Sequence, residues 1–179
     1  MKQEIKNLAP EIKQIILDSK KILLHLHPSP DEDSAGSVLA MAQVLKSWGK
    51  DYTIISGDSH TPDFVQYLPG GEEIIDQKYL ETDVSSYDLH LVLDTGGVNQ
   101  ITKRGAFTFP TGQKVVVIDH HATNNKFGTT NLVIEDYPAT AQVLYELFQA
   151  WGELITPEID ICLFAGIYGD IIDDCDFTL

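Results

Sequence analysis

Residues 21–50, KILLHLHPSPDEDSAGSVLAMAQVLKSWGK, hold the pattern on which the fold depends. Lys21–His27 (KILLHLH) is a short apolar run with no room for a helix, and it reads as a buried strand. His27–Pro28–Ser29–Pro30 breaks the regularity, because proline donates no backbone hydrogen bond and restricts the residue before it. Asp33 or Ser34 then caps a helix predicted from Ala35 to Trp48 and ending at Gly49. Strand, polar loop and helix in that order form the opening unit of an alternating α/β chain.

The same alternation extends outward. Upstream, Ile12, Ile15, Ile16 and Leu17 give Ala9–Ser19 the pattern of an amphipathic helix. Downstream, Tyr52–Ser56 (YTIIS), Asp88–Leu93 (DLHLVL) and Lys114–Ile118 (KVVVI) read as strands, with a short helix over Pro62–Tyr67. Ala139–Trp151 and Pro157–Tyr168 read as further helices, and no repeat, linker or low-complexity tract interrupts them. Strands alternating with helices imply an α/β fold: a three-layer, mostly parallel sheet flanked by helices.

Three of these strands run into Asp and His residues: His27–Asp33, Asp94, and Asp119–His120–His121. In open α/β sheets the carboxyl ends of the strands form the ligand crevice, so polar groups from three distant segments should meet at one edge. Taken singly these residues are ambiguous. An Asp that closes a buried strand can be a helix cap, and a His–Asp pair on a loop is usually a solvated turn. Two carboxylates as close as Asp31 and Asp33 repel each other, however, and are tolerated chiefly where a cation neutralises them. Carboxylate and imidazole without thiolate suit Mn²⁺, Mg²⁺ or Zn²⁺ and argue against a structural zinc site.

Composition narrows the partners. The chain has 179 residues, 12 basic against 27 acidic, and a formal charge of −15, with Arg104 its one arginine. Such a surface disfavours long duplex nucleic acid and anionic membranes, whereas a small phosphate ester remains compatible if acids converge on cations. Cys162 and Cys175 are too few for a disulfide framework, and Met1–Lys13 lacks the apolar run of a signal peptide. The expectation is a reduced, cytoplasmic protein. His25, His60 and His90 fit no ligand pattern, and Lys2, Lys6, Lys13, Lys20 and Lys21 read as solvated positions.

Four segments in order give the chain a resemblance to the DHH phosphoesterases, the superfamily of exonucleases, nanoRNase/pAp phosphatases, family II pyrophosphatases and cyclic-dinucleotide phosphodiesterases. The first is His27-Pro-Ser-Pro30-Asp31-Glu-Asp33-Ser-Ala-Gly36-Ser37, the second LVLDTG with Asp94. The third is Asp119–His120–His121 followed by Thr123–Asn124, the fourth Gly166–Ile167–Tyr168–Gly169–Asp170. The wording of the first is most similar to the nanoRNase/pAp phosphatase branch.

The resemblance implies two divalent ions, with Mn²⁺ the usual one and Mg²⁺ an alternative. His27, Asp31 and Asp94 would hold one; Asp33, Asp94, His120 and Asp170 would hold the other, with Asp94 bridging. It further implies that Asp119 orients His120 and that His121 faces the substrate phosphate. After Asp170 the chain departs from the family pattern, which makes Asp173 a weaker rival ligand. Residues 1–179 are expected to be one catalytic domain, with the family's C-terminal substrate-binding domain absent.

The expected activity is metal-dependent hydrolysis of small nucleotides or short oligonucleotides. The alternatives are a metal- and nucleotide-binding domain inactive without a C-terminal partner, a pyrophosphatase-like enzyme and a cyclic-dinucleotide phosphodiesterase.

Overall fold

In a computed structural model that describes the backbone of residues 1–174 and the side chains of residues 1–172, the quoted stretch forms β1 (Lys21–His25) and α2 (Glu32–Ser47). β1 is buried on both faces for the reason its composition suggests. Ile22 and Leu24 enter the main core beside the helices, while Leu23 enters a second cluster on the opposite face. Leu26 continues the ladder by donating from its N–H to Ile55 O at 3.1 Å. The two prolines then turn the chain away, through Ser29 at φ 62°.

The helix begins earlier than expected. Asp31, not Asp33 or Ser34, is its N-cap, and its Oδ1 accepts the Ser34 N–H at 2.9 Å. Glu32 and Asp33 therefore occupy the first turn, where negative charge suits the helix dipole. This three-residue difference releases Asp33 from capping its own helix and buries it.

The remaining elements are α1 (Gln3–Asp18), β2 (Asp51–Ile55), β3 (Ile74–Ile75), β4 (Leu89–Leu93), β5 (Lys114–Asp119), β6 (Thr130–Val133), α3 (Thr140–Trp151) and α4 (Pro157–Asp174). α1 starts at Gln3 rather than at Ala9 and runs through Pro10, because Ile5, Ala9, Ile12 and Ile16 share one buried face that outweighs the lost hydrogen bond. The predicted helix at 62–67 is a 3₁₀ turn, Asp63–Tyr67. The side chain of Asp173 and all of Cys175 lie outside the described residues.

The six strands form one sheet in the order β3-β2-β1-β4-β5-β6, with every pairing parallel. Side chains alternate across it: Leu89, Leu91, Leu93, Val116 and Ile118 meet the helices, while Val92, Val115 and Val117 face away. All four α-helices share the first core. The opposite face is covered by 3₁₀ turns and by an aromatic cluster that includes Tyr79, Phe107, Phe109 and Phe127. The architecture is thus α/β in three layers, with α-helices on one side and irregular chain on the other.

α2 and α4 cross closely enough that a Cβ on Gly36 would lie 2.4 Å from Cys162 O. On α4, a Cβ on Gly166 would lie 2.9 Å from Asp33 Oδ1. These two glycines bring the Asp33 and Asp170 segments together.

Candidate functional site

The strand order reverses direction between β1 and β4, so the chain leaves the two adjacent strands toward opposite sides and opens a crevice at their carboxyl ends. His27 follows β1, Asp94 follows β4, and His120 and His121 follow β5. The site lies at that crevice. A larger cleft, lined in part by Lys20, Asp88 and Lys114, sits at the amino ends of the same strands and holds no comparable donor set.

Asp94 is the centre. It is 2% exposed and adopts a left-handed backbone, φ 51°, that a non-glycine residue takes up only at some cost. Its Oδ2 lies 3.3 Å from His27 Nε2, and its Oδ1 lies 3.7 Å from His120 Nε2. Thr140, the first residue of α3, donates its hydroxyl to Asp94 Oδ1 at 3.1 Å.

On one side of Asp94, His27 Nε2 also lies 3.4 Å from Asp31 Oδ2. On the other, His120 Nε2 is 3.3 Å from Asp170 Oδ2 and 4.0 Å from Asp33 Oδ2. Asp33 is almost wholly buried and accepts the Thr140 and Ala141 N–H groups at 2.6 and 2.9 Å, which caps α3 from across the core. Ala139, the residue at that helix's own cap position, supplies no side-chain bond.

These donors suit a cation. His27 Nδ1 bonds to Pro28 O and His120 Nδ1 to Tyr137 O, both at 3.1 Å, which leaves each Nε2 as the ring atom that faces the carboxylates and could ligate a cation once it carries no proton. The sets His27–Asp31–Asp94, Asp33–His120–Asp170 and Asp94–His120–His121 each place ligand atoms within 4.8 Å of one another. Bonds of about 2.1 Å around an ion separate its ligands by roughly 3 to 4 Å.

Without a cation, protons balance the carboxylates. Burial opposes charge on His27, but the hydrogen bonds its ring donates to Asp31 and Asp94 outweigh it and raise the ring to about 10. Burial, then the charges of Asp94 and Asp170, push the Asp33 carboxyl well above the usual range. Loading a cation must displace such protons, so affinity should rise with pH.

Asp119 departs from its expected role. Its Oδ1 is 2.8 Å from His121 Nδ1, and its Oδ2 accepts from Asn124 Nδ2 at 2.6 Å. It therefore orients His121, while a backbone carbonyl orients His120. The reason is geometric: Asp119 is the last residue of β5, and side chains two apart in extended chain share a face. The Asp119 bond is also the main cause that raises His121 to about 9. Burial opposes ionisation of Asp119, but the bonds from His121 and Asn124 hold its carboxyl below the usual range.

His121 is partly exposed and lines a cleft of about 190 Å³ together with His27, Asp31, Asp94, Gln100 and Lys103. The sequence reading singled out neither Gln100 nor Lys103. No motif marks them, and they reach the crevice only because the loop after β4 folds back. His25 and His90 sit in the strand interior as expected, His25 edge-on to Tyr79 and His90 accepting or donating at 2.8 Å with the Tyr79 hydroxyl.

Fold and site together define a parallel α/β domain with a carboxylate–imidazole cluster at its topological switch. The chain belongs to the DHH family: the sequence model of the "DHH family, N-terminal domain" matches residues 21–167. It is 31% identical over 149 residues to the bifunctional oligoribonuclease and PAP phosphatase NrnA of Thermus thermophilus, covering 83% of this chain and 43% of that protein. It is 25% identical over 185 residues to the cyclic-di-AMP phosphodiesterase PdeA of Listeria monocytogenes, covering 96% of this chain and 27% of the other. An exopolyphosphatase-related protein from Bacteroides fragilis shares the fold with a TM-score of 0.84 at 21% identity, over 95% of this chain and 52% of that one. The chain thus spans less than half the length of these curated relatives. No helix among the described residues is long and apolar enough to cross a membrane.

Proposed function

We propose that this chain is the metal-bearing domain of a phosphoesterase that hydrolyses small nucleotides or short oligonucleotides. The observation that carries the reading is Asp94, whose two carboxylate oxygens face separate histidines, each with further carboxylates of its own. Relatives named for oligoribonuclease, PAP phosphatase and cyclic-di-AMP phosphodiesterase activity support the substrate class. The acidic surface favours a small substrate over a duplex, and the protein is assigned to the cytoplasm on its composition.

His27, Asp31 and Asp94 would hold one divalent cation, and Asp33, Asp94, His120 and Asp170 the other. The resemblance to the DHH phosphoesterases favours Mn²⁺, with Mg²⁺ second, and a mixed carboxylate–imidazole set is compatible with a divalent ion of this kind. A pair of such ions supplies Lewis-acid charge to the phosphate and makes water acidic enough to act as a nucleophile near neutral pH. Asp119 fixes the His121 ring through Nδ1, so that Nε2 is the atom left to meet the substrate. His121 carries the proton that the departing alkoxide needs, and Asp119 stabilises its charged form until transfer. Asp33 holds the amino end of α3 against the site, and Thr140 holds Asp94.

The cleft has few donors outside the cluster, so this chain by itself should bind metal well and turn over slowly, with the deficit in substrate affinity. The test is hydrolysis of a diribonucleotide, pAp, cyclic-di-AMP and pyrophosphate with Mn²⁺, with and without chelator. Chelator-sensitive release of nucleotide supports the reading. Hydrolysis that survives complete chelation, or no release from any of the four at high enzyme concentration, defeats it.

A further inference from the structure

The loop after Asp94 is tied down by a group with no place in the metal cluster. Asp58, on the connection after β2, is buried at 8% exposure. Its two carboxylate oxygens accept the Thr102 hydroxyl at 3.0 and 2.9 Å, and Oδ2 also accepts the Lys103 N–H at 2.7 Å. Arg104 Nη2 donates to the Asp58 carbonyl at 3.0 Å, and Thr102 Oγ1 accepts the Arg104 N–H at 3.2 Å. The single arginine of the chain is thereby committed to holding the loop. Lys103 Nζ takes part in none of these bonds, and the residue lines the cleft beside His27, Asp31, Asp94 and His121.

Gln100 stands on the same loop. Its Oε1 accepts the Gly96 N–H at 3.1 Å, which fixes the amide and leaves Nε2 as a donor. The lining that includes Asp31 and Asp94 thus also includes one lysine and one amide donor, on a loop fastened by a buried carboxylate.

We propose that Lys103 and Gln100 bind phosphate oxygens of the substrate on the side away from the carboxylate cluster, and that Asp58 positions them. The assignment rests on the phosphoesterase reading above. A cation pair neutralises only the phosphate oxygens that face it; the outer oxygens still need donors, and in a chain of net charge −15 a lysine whose backbone is held at the cleft is a group that can supply them. Lysine acts here as a point charge, so arginine in its place should largely substitute.

The experiment uses the full chain loaded with Mn²⁺ and inorganic phosphate as the probe, whose affinity is read from paramagnetic broadening of its ³¹P signal. Mn²⁺ binding is measured separately by the melting shift. Losing one charge-assisted bond should weaken phosphate about tenfold in Lys103→Gln, with Lys103→Arg within about threefold of wild type and Mn²⁺ binding unchanged in both.

Asp58→Ala should weaken phosphate several-fold alone yet add little on top of Lys103→Gln, because a positioning group has no effect once the group it positions is gone. Equal phosphate affinity in Lys103→Gln and wild type, or no phosphate bound by wild type, overturns the assignment and leaves the metal site standing. Fully additive losses remove Asp58 from its role. Failure of wild type to bind Mn²⁺ would instead sink the underlying phosphoesterase reading, and the Lys103 assignment with it.

Discussion

Replacing Asp94 by Asn should leave stability nearly unchanged without metal and remove the stabilisation that metal adds. Asn tolerates the left-handed backbone at this position, and its amide oxygen can still accept the Thr140 hydroxyl, so the fold is preserved. What disappears is the negative charge that both halves of the cluster share. In the metal-free protein that charge, after burial, is the main cause pushing the Asp33 carboxyl upward, but it also pairs with the protonated His27 ring. Its removal relieves one interaction and costs another, so the variant should melt close to wild type.

With metal the two proteins separate. An ion at a hundred times its dissociation constant adds about 2.7 kcal/mol to the native state, so two ions add about 5 kcal/mol. For a chain of this size that is a rise of roughly 10–20 °C. Asp94→Asn should lose nearly all of it, whereas Asp33→Asn, which touches only the His120 side, should keep about half. Melting scans with and without millimolar Mn²⁺, paired with metal counting on the desalted proteins, give both quantities. An Asp94→Asn protein that retains two ions, or that melts well below wild type in chelator, refutes the shared-charge argument.

Gly36→Ala should cost about 1–3 kcal/mol, because a methyl group cannot fit 2.4 Å from Cys162 O without parting α2 from α4; chemical denaturation gives the value. A loss below about 0.5 kcal/mol would mean that the helices adjust freely there. His25 predicts acid sensitivity. Burial lowers its ring from 6.5 to about 4, so it stays neutral in the fold while the unfolded chain takes up a proton as pH drops below 6.5. Its contribution is complete above that value and is lost as pH falls toward 4, the loss reaching about 3 kcal/mol at the bottom of the window. Urea midpoints of wild type and His25→Phe at pH 7 and pH 4.5 should show a smaller acid loss in the variant; equal losses would remove His25 as the cause. Asp119→Asn should keep its metal content but lower kcat by roughly 10²- to 10⁴-fold. The alkaline limb of its pH profile should move downward, because Asp119 is the main group raising His121; an unmoved limb would assign that limb to another group.

Chain order alone made much of this protein legible. Continuous apolar runs such as KILLH and KVVVI declare strands buried on both faces, because a parallel sheet excludes water from either side. Acids and imidazoles placed where those runs stop must share an edge, since parallel strands all end on the same side. From that, His27, Asp31, Asp33, Asp94 and His120 could be nominated, with Asp170 added by the fourth motif, and the structure places the six in two adjoining groups. Other elements carried no such signal. β6 (Thr130–Val133) and the two-residue β3 gain their pairing from neighbouring strands rather than from their own composition.

Side-chain partnerships were likewise beyond the sequence. Adjacent residues His120 and His121 turn to different partners, Tyr137 O and Asp119, and Asp33 caps a helix that starts more than a hundred residues later. Local propensity is fixed by near neighbours and survives in the order of residues. Which lone pair meets which proton depends on where distant backbone comes to rest. That is why the strand ends could be read from the sequence, while the partners of Asp119 and the place of Lys103 beside the cleft came only from the tertiary fold.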